Sequence, residues 1–223
     1  EKLNPTVCDQ ATITIQVVAP VIVANDDTIT NINGYVGQSN AINAFTNDTL
    51  NGSPVKTTEI QAQIIAPANP INGGAVPFMD VTTGQVSIPA GTTAGNYFID
   101  YRICEILNPT NCNDARITIT VIAPAIVAND DAINNINGAV GAVDALDAMA
   151  NDLLNGQPAT LTQTAITIVS PATSIGVGLV PTLNPATGKV TVPAGTPAGI
   201  YTIEYQLCEQ LNPSNCDIAT ITI

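Results

Sequence analysis

The residues of this chain best suited to chemistry are aspartates. Asn25-Asp26-Asp27 is followed some twenty positions later by Asn47-Asp48, and the pattern returns as Asn129-Asp130-Asp131 and Asn151-Asp152. Carboxylate and amide oxygens are hard ligands, and several of them carrying negative charge suit Ca²⁺. Asp26, Asp27, Asp48, Asp130, Asp131 and Asp152 are therefore the candidate calcium ligands. A local reading competes with this one. Asp and Asn also close turns by accepting backbone N–H bonds, and no Asp-x-Asp-x-Asp-Gly loop is present. Paired carboxylates serve glycosidases as well, but neighbours such as Asp26 and Asp27 point to opposite faces of a strand. No aromatic platform for a sugar accompanies them.

Composition narrows the chemistry further. The chain has 223 residues, with 5 Lys plus Arg against 18 Asp plus Glu, a formal charge of −13 and no His or Trp. Without His there is no Ser-His or Cys-His nucleophile pair and no imidazole metal ligand. An acidic surface repels phosphate backbones and anionic lipid heads, which argues against nucleic acid and membrane-surface partners. The 45% hydrophobic content favours packed structure over disorder, and no apolar run is long enough to cross a bilayer. The expectation is a protein that is not an enzyme.

The elements that position the aspartates come in copies. Leu3-Asn4-Pro5 recurs as Leu107-Asn108-Pro109 and Leu211-Asn212-Pro213, each 104 residues on. Ile22 to Asp27 recurs as Ile126 to Asp131, and Pro89-Ala90-Gly91-Thr92 as Pro193-Ala194-Gly195-Thr196. About half of the aligned positions are identical, and no gap is needed. A period of that size is an independently folding module rather than a solenoid turn. The expected organisation is residues 1–20 as the end of a preceding repeat, 21–124 as repeat 1 and 125–223 as repeat 2, cut from something longer.

Within each copy the pattern is all-β. Odd positions from Tyr97 to Ile103 are apolar and the even ones mostly polar, and Ala115, Ile117, Ile119 and Val121 alternate in the same way. Period two marks half-buried strands. Further strands are expected over 28–32, 39–45, 58–66, 76–81 and 85–88, divided by turns at Asn33-Gly34, Asn51-Gly52 and Thr83-Gly84. About seven short strands per hundred residues predict tandem immunoglobulin-like β-sandwich domains. The tyrosines at 97, 101, 201 and 205 fall on the apolar face and read as core. If every strand reverses direction, the aspartates, Glu105 and Asn108 gather at one pole, at the junction with the preceding repeat. In the second copy Glu209 and Asn212 do the same.

Five cysteines fit the same frame. Cys8, Cys112 and Cys216 form one series and Cys104 and Cys208 another, whose preceding member falls just before the chain. Cys8 is expected to be unpaired by truncation. Strand parity points Cys104 and Cys112 outward from one sheet, so Cys104–Cys112 and Cys208–Cys216 should be cross-strand disulfides over a hairpin. A C-x7-C metal site lacks the further ligands it would need. Structural disulfides imply an oxidising, extracellular setting. A Lys–Asn isopeptide crosslink is rejected, because Lys56 aligns with Thr160 and Lys189 with Gln85.

Three motifs carry a family resemblance: Ala-Asn-Asp-Asp at 24–27 and 128–131, Asn-Asp-x-Leu-Asn-Gly at 47–52 and 151–156, and Cys-Glu-x-Leu-Asn-Pro-x-x-Cys at 104–112 and 208–216. Together they resemble the tandem Ig-like or cadherin-like repeats of giant Bacteroidetes cell-surface adhesins, including gliding-motility adhesins. The resemblance implies a stalk or filament repeat, exported by the type IX route and displayed on the bacterial cell surface. It also implies calcium at Asp26, Asp27 and Asp48. The expected function is a spacer giving reach and mechanical continuity, with neighbouring repeats of the same chain as partners and Ca²⁺ stiffening the junctions. The alternative is a module that itself binds a ligand such as surface polysaccharide.

Overall fold

Period-two alternation places an apolar stripe on the longer strands, and the computed structural model, which describes all 223 residues, buries those stripes between sheets. Repeat 1 has ten strands: β1 (Ile22–Val23), β2 (Asp27–Asn33), β3 (Gln38–Asn43), β4 (Thr49–Leu50), β5 (Ser53–Pro54), β6 (Ile60–Ala66), β7 (Phe78–Met79), β8 (Gln85–Ile88), β9 (Gly95–Glu105) and β10 (Cys112–Ile122). The seven expected from the sequence are all there. The three additional ones, β1, β4 and β5, are two residues each and are held in one small sheet. One main sheet has the order β2-β10-β9-β6, and the other β3-β8-β7. The protein is all-β, built of Ig-like sandwiches.

Repeat 2 follows the same plan: β11 (Ile126–Val127), β12 (Asp131–Ala132), β13 (Ala142–Asp147), β14 (Leu153–Leu154), β15 (Gln157–Pro158), β16 (Thr164–Ser170), β17 (Thr182–Asn184), β18 (Lys189–Val192), β19 (Thr202–Glu209) and β20 (Cys216–Thr222). Its sheets are ordered β12-β20-β19-β16 and β13-β18-β17.

Each copy encloses its own core. Tyr97, Ile99, Tyr101 and Ile103 of β9 interlock with Ala115, Ile117, Ile119 and Val121 of β10 in a first buried cluster. Tyr201, Ile203, Tyr205, Leu207, Ala219 and Ile221 anchor the second. Burying one such side chain is worth roughly 1.5–3 kcal/mol, so these stripes dominate the stability of their sheets.

The pairings are those that strict reversal gives. Of the seven expected strands of repeat 1 the first and the last then point the same way, so β2 runs parallel to β10, with Asp27 opposite Ile117, while β9 is antiparallel to both β10 and β6. In repeat 2, β12 likewise runs parallel to β20. Residues 1–20 contain no strand, and Ile13, Ile15 and Val17 are 85%, 79% and 89% exposed. Their alternation is intact, but no neighbouring sheet is there to pair with it.

Candidate functional site

The aspartates are organised by local backbone needs. At the head of β2 the ladder to β10 would lack an acceptor, and the Asp26 side chain supplies it, its Oδ1 accepting the Arg116 N–H at 2.8 Å. Asp130 does the same for Thr220 at 2.8 Å. Asp48 is fully buried. Its Oδ1 accepts the Asn25 N–H at 2.8 Å and its Oδ2 the Tyr101 hydroxyl at 3.0 Å. Asp152 repeats this with Asn129 at 2.8 Å and Tyr205 at 2.9 Å. Asparagines complete the loop: Asn25 Nδ2 donates to Asn47 O, and Asn47 Nδ2 to Asp26 O. The turn-closing reading thus accounts for most of the oxygens.

Asp27 and Asp131 are different. Their Oδ2 atoms are buried and receive no donor. Burial, then the charges of Asp48 and Asp26, push the Asp27 carboxyl up to about 7. Burial, then Asp152, Asp147 and Asp130, push Asp131 to about 6. Burial raises Asp48 as well, against the pull of the Asn25 N–H and the Tyr101 hydroxyl.

Proton counting explains the strain. The Tyr101 hydroxyl has one proton, yet Asp48 Oδ2, Ala44 O at 3.2 Å and Asn25 O at 3.4 Å all surround it. Acceptors outnumber donors, so the pocket favours an added positive charge, whether a proton on Asp27 or a cation. A hard cation fits that donor set in charge and oxygen chemistry. No three carboxylates or thiols converge closely enough to hold an ion by themselves, so backbone and asparagine carbonyls would have to complete its shell.

The structure does not bring Glu105 or Asn108 to this pocket. Glu105 lies four residues beyond Tyr101 on β9, about 13 Å along the strand. It is buried in its own hairpin, where Glu105 Oε2 accepts from Asn108 Nδ2 at 2.8 Å and Asn111 Nδ2 at 3.1 Å. Sequence reasoning put the whole group at the junction; the aspartates sit one layer in, and of that group only hairpin residues reach it. The Asp48–Tyr101 bond was missed, although the 53-residue spacing recurs at Asp152–Tyr205 and was visible as a repeated pair.

The hairpins carry the disulfides. Cys104 is bonded to Cys112 and Cys208 to Cys216, and Cys8 is free and exposed. Each bond closes a Leu-Asn-Pro knuckle in which the third residue after the Asn donates back to its carbonyl at 2.8 Å. The repeat 2 knuckle meets the far end of repeat 1. Ala94 N donates to Asn212 Oδ1 at 2.7 Å, Asn33 Nδ2 to Asn155 Oδ1 at 3.0 Å, and Gln163 Nε2 to the Tyr35 hydroxyl at 2.9 Å. Tyr35 also packs against the second core.

No family model matches the chain, and no curated protein matches it. Fold and site together define a class, tandem Ig-like sandwiches joined end to end. Among solved structures the chain is similar to human CDH23 EC21-23, at 10% identity and a TM-score of 0.37, over 92% of this chain and 68% of that one. Mouse Cadherin-23 EC22-24 gives 14% identity and a TM-score of 0.35, over 92% and 66%. BT4661, a SusE-like surface located polysaccharide binding protein from Bacteroides thetaiotaomicron, gives 12% and 0.34 over 92% of this chain, which spans only 34% of that one.

Proposed function

We propose that the chain is a length of extracellular stalk: residues 21–124 and 125–223 are two Ig-like repeats, and 1–20 belong to the end of a preceding one. In this reading it catalyses nothing. It gives reach and mechanical continuity to a large adhesin on a bacterial cell surface, of the kind used in adhesion or gliding and exported by the type IX route. Carrying the reading is the direct seating of repeat 2 on repeat 1 through three side-chain hydrogen bonds. Two separate cores coupled only at their ends transmit load along the chain. The local disulfides support an oxidising environment, and the 10 of 13 positions shared by 3–15 and 211–223 support the assignment of the first segment.

Small-angle scattering tests it. An elongated profile, with a maximum dimension near that of two sandwiches laid end to end, is the expected result. A compact profile would overturn the spacer reading, and specific capture of one polysaccharide on a glycan array would favour the ligand-binding alternative. Calcium belongs to the same proposal, with the donor-less oxygens of Asp27 and Asp131 as its support. Calcium should raise the melting temperature and EDTA lower it, and an unchanged melt would remove the metal.

A further inference from the structure

The joint between the two repeats holds a cavity of about 650 Å³. Tyr35, Ala90 and Gly91 of repeat 1 line one side, and Leu154, Glu209 and Leu211 of repeat 2 the other. Both sides belong to a joint inside this chain, so an adjoining repeat at either end leaves the cavity as it is.

Glu209 is the group that the joint leaves short of donors. It is 4% exposed, and its one hydrogen bond is the Asn215 Nδ2 donating to Oε2 at 2.9 Å. The matching Glu105 receives two, from Asn108 Nδ2 at 2.8 Å and Asn111 Nδ2 at 3.1 Å. In the seated knuckle Asn212 turns its Oδ1 to the Ala94 N–H and makes no bond to Glu209. The other polar groups of the cavity do not replace that donor. Gln163 is occupied at both ends, by Thr160 Oγ1 and the Tyr35 hydroxyl. Gln210 Nε2 donates to Leu161 O and Thr164 O at 3.0 and 3.1 Å, which leaves its Oε1 as a second free acceptor. No Lys or Arg lines the cavity. A carboxylate withdrawn this far from water gains from a positively charged partner, and the formal charge of −13 draws cations toward the chain.

We propose that this cavity is a binding site for a small primary alkylammonium ion. The ammonium group donates to Glu209 Oε1 and Gln210 Oε1, and the alkyl chain lies against Leu154, Leu211 and Ala90. The lining favours such a ligand over a metal ion. It offers one carboxylate and one free carboxamide oxygen, against the roughly six to eight oxygens of a calcium shell. The leucines add nothing to a metal, whereas apolar walls with a few placed polar groups suit a small organic ligand. A neutral alcohol of the same length leaves the charge unmatched. Because the two sides come from different repeats, an occupied site favours the seated joint by mass action and so stiffens it. The proposal stands on the geometry of the joint and does not need the spacer reading.

The test is a titration of the ¹⁵N-labelled intact chain with n-butylammonium chloride at neutral pH, followed by NMR, with EDTA present throughout so that no metal competes. The Gly91 and Gln210 amides should shift along a saturating curve, with half-saturation on the order of 1 mM for so small a ligand. Glu209→Gln retains an acceptor for Asn215 and should weaken binding about tenfold or more, the loss of one charge-assisted hydrogen bond, at an unchanged melting temperature. Glu105→Gln, the same change in the other knuckle, should leave binding as it is. In the parent chain n-butanol should bind at least about tenfold more weakly, an arm that decides the question even if Glu209→Gln does not fold. Equal shifts with butanol, undiminished binding by Glu209→Gln, or shifts confined to residues outside the joint would each overturn the proposal. The spacer reading is judged separately, by the scattering profile of the chain without amine.

Discussion

The two repeats agree at their buried aspartates and disagree on the outer faces of their main sheets. Asp48 and Asp152 are both fully buried, and each accepts one backbone N–H at 2.8 Å and a tyrosine hydroxyl at 3.0 or 2.9 Å. On the outer face of β9 and β10, repeat 1 sets Arg102 against Asp114 and Arg116 against Asp100, each as a two-pronged pair. Repeat 2 has Gln206, Asp217-Ile218, Thr220 and Glu204 in that region and no ion pair there. The difference follows from desolvation. Removing one partner from a buried carboxylate strands the other without water, so the set changes together or not at all. Exposed pairs are screened and replaceable.

Cutting the buried set tests that contrast most severely. Tyr101→Ala should destabilise repeat 1 by about 3–5 kcal/mol, through lost packing and the orphaned Asp48 carboxylate. Tyr205→Ala should do the same to repeat 2. Urea titration should resolve two transitions, with only the mutated repeat shifted; movement of both by the same amount would show one cooperative unit and break the comparison. Next in size is the pair of disulfides. Replacing Cys104 and Cys112, or Cys208 and Cys216, with serine should cost roughly 2–3 kcal/mol in the repeat affected, since each closes a short loop. Only the second pair should also widen the scattering envelope, because its knuckle alone is seated in the joint.

Legibility followed the same division. The strands of β9 and β10, their core tyrosines and the cross-strand cysteines were readable because alternation fixes which way each side chain points. Cys104 indeed lies opposite Cys112 in register. The aspartate pocket was legible only as residue types. Its geometry depends on β2 running parallel to β10 and on Tyr101 reaching across the sandwich to Asp48, and neither is local in sequence. The joint was foreseen as a contact between ends. That its residues would be Asn33, Tyr35, Ala94, Asn155, Gln163 and Asn212 depends on the angle at which two sandwiches meet, which periodicity does not encode.

Acidity separates the two pockets. A carboxyl whose value is raised in the folded state, from 3.8 to about 7 for Asp27, favours the fold when protonated. That contribution is complete below pH 3.8 and is lost as pH rises through 7. For Asp131 the loss ends nearer pH 6. Asp27→Asn should flatten the decline of repeat 1 stability between pH 4 and 7, and Asp131→Asn that of repeat 2 over a narrower window. Asp100 and Asp114 are held low by their arginines and act in the opposite sense, so the readout is the difference between parent and variant at each pH. A parallel decline in parent and Asp27→Asn would remove the raised carboxyl from the account.

The smallest effect is expected where the copies differ most. Arg102→Gln with Arg116→Thr converts the outer face of repeat 1 to the residues found at those positions in repeat 2. Both guanidiniums lie in solvent, where ordering two long side chains offsets most of the Coulomb attraction and salt screens the remainder. Arg116 also lies 5.4 Å over the Phe98 ring, itself half exposed, a contact that Thr202 does not offer in repeat 2. The double variant should melt with the parent at physiological ionic strength and fall below it only in low salt. A loss at high salt would instead mean that the arginine stems cover Phe98 and the sheet beneath as apolar packing. In that case the surface of repeat 1 is part of its stability, and the two copies hold their sheets together by different means.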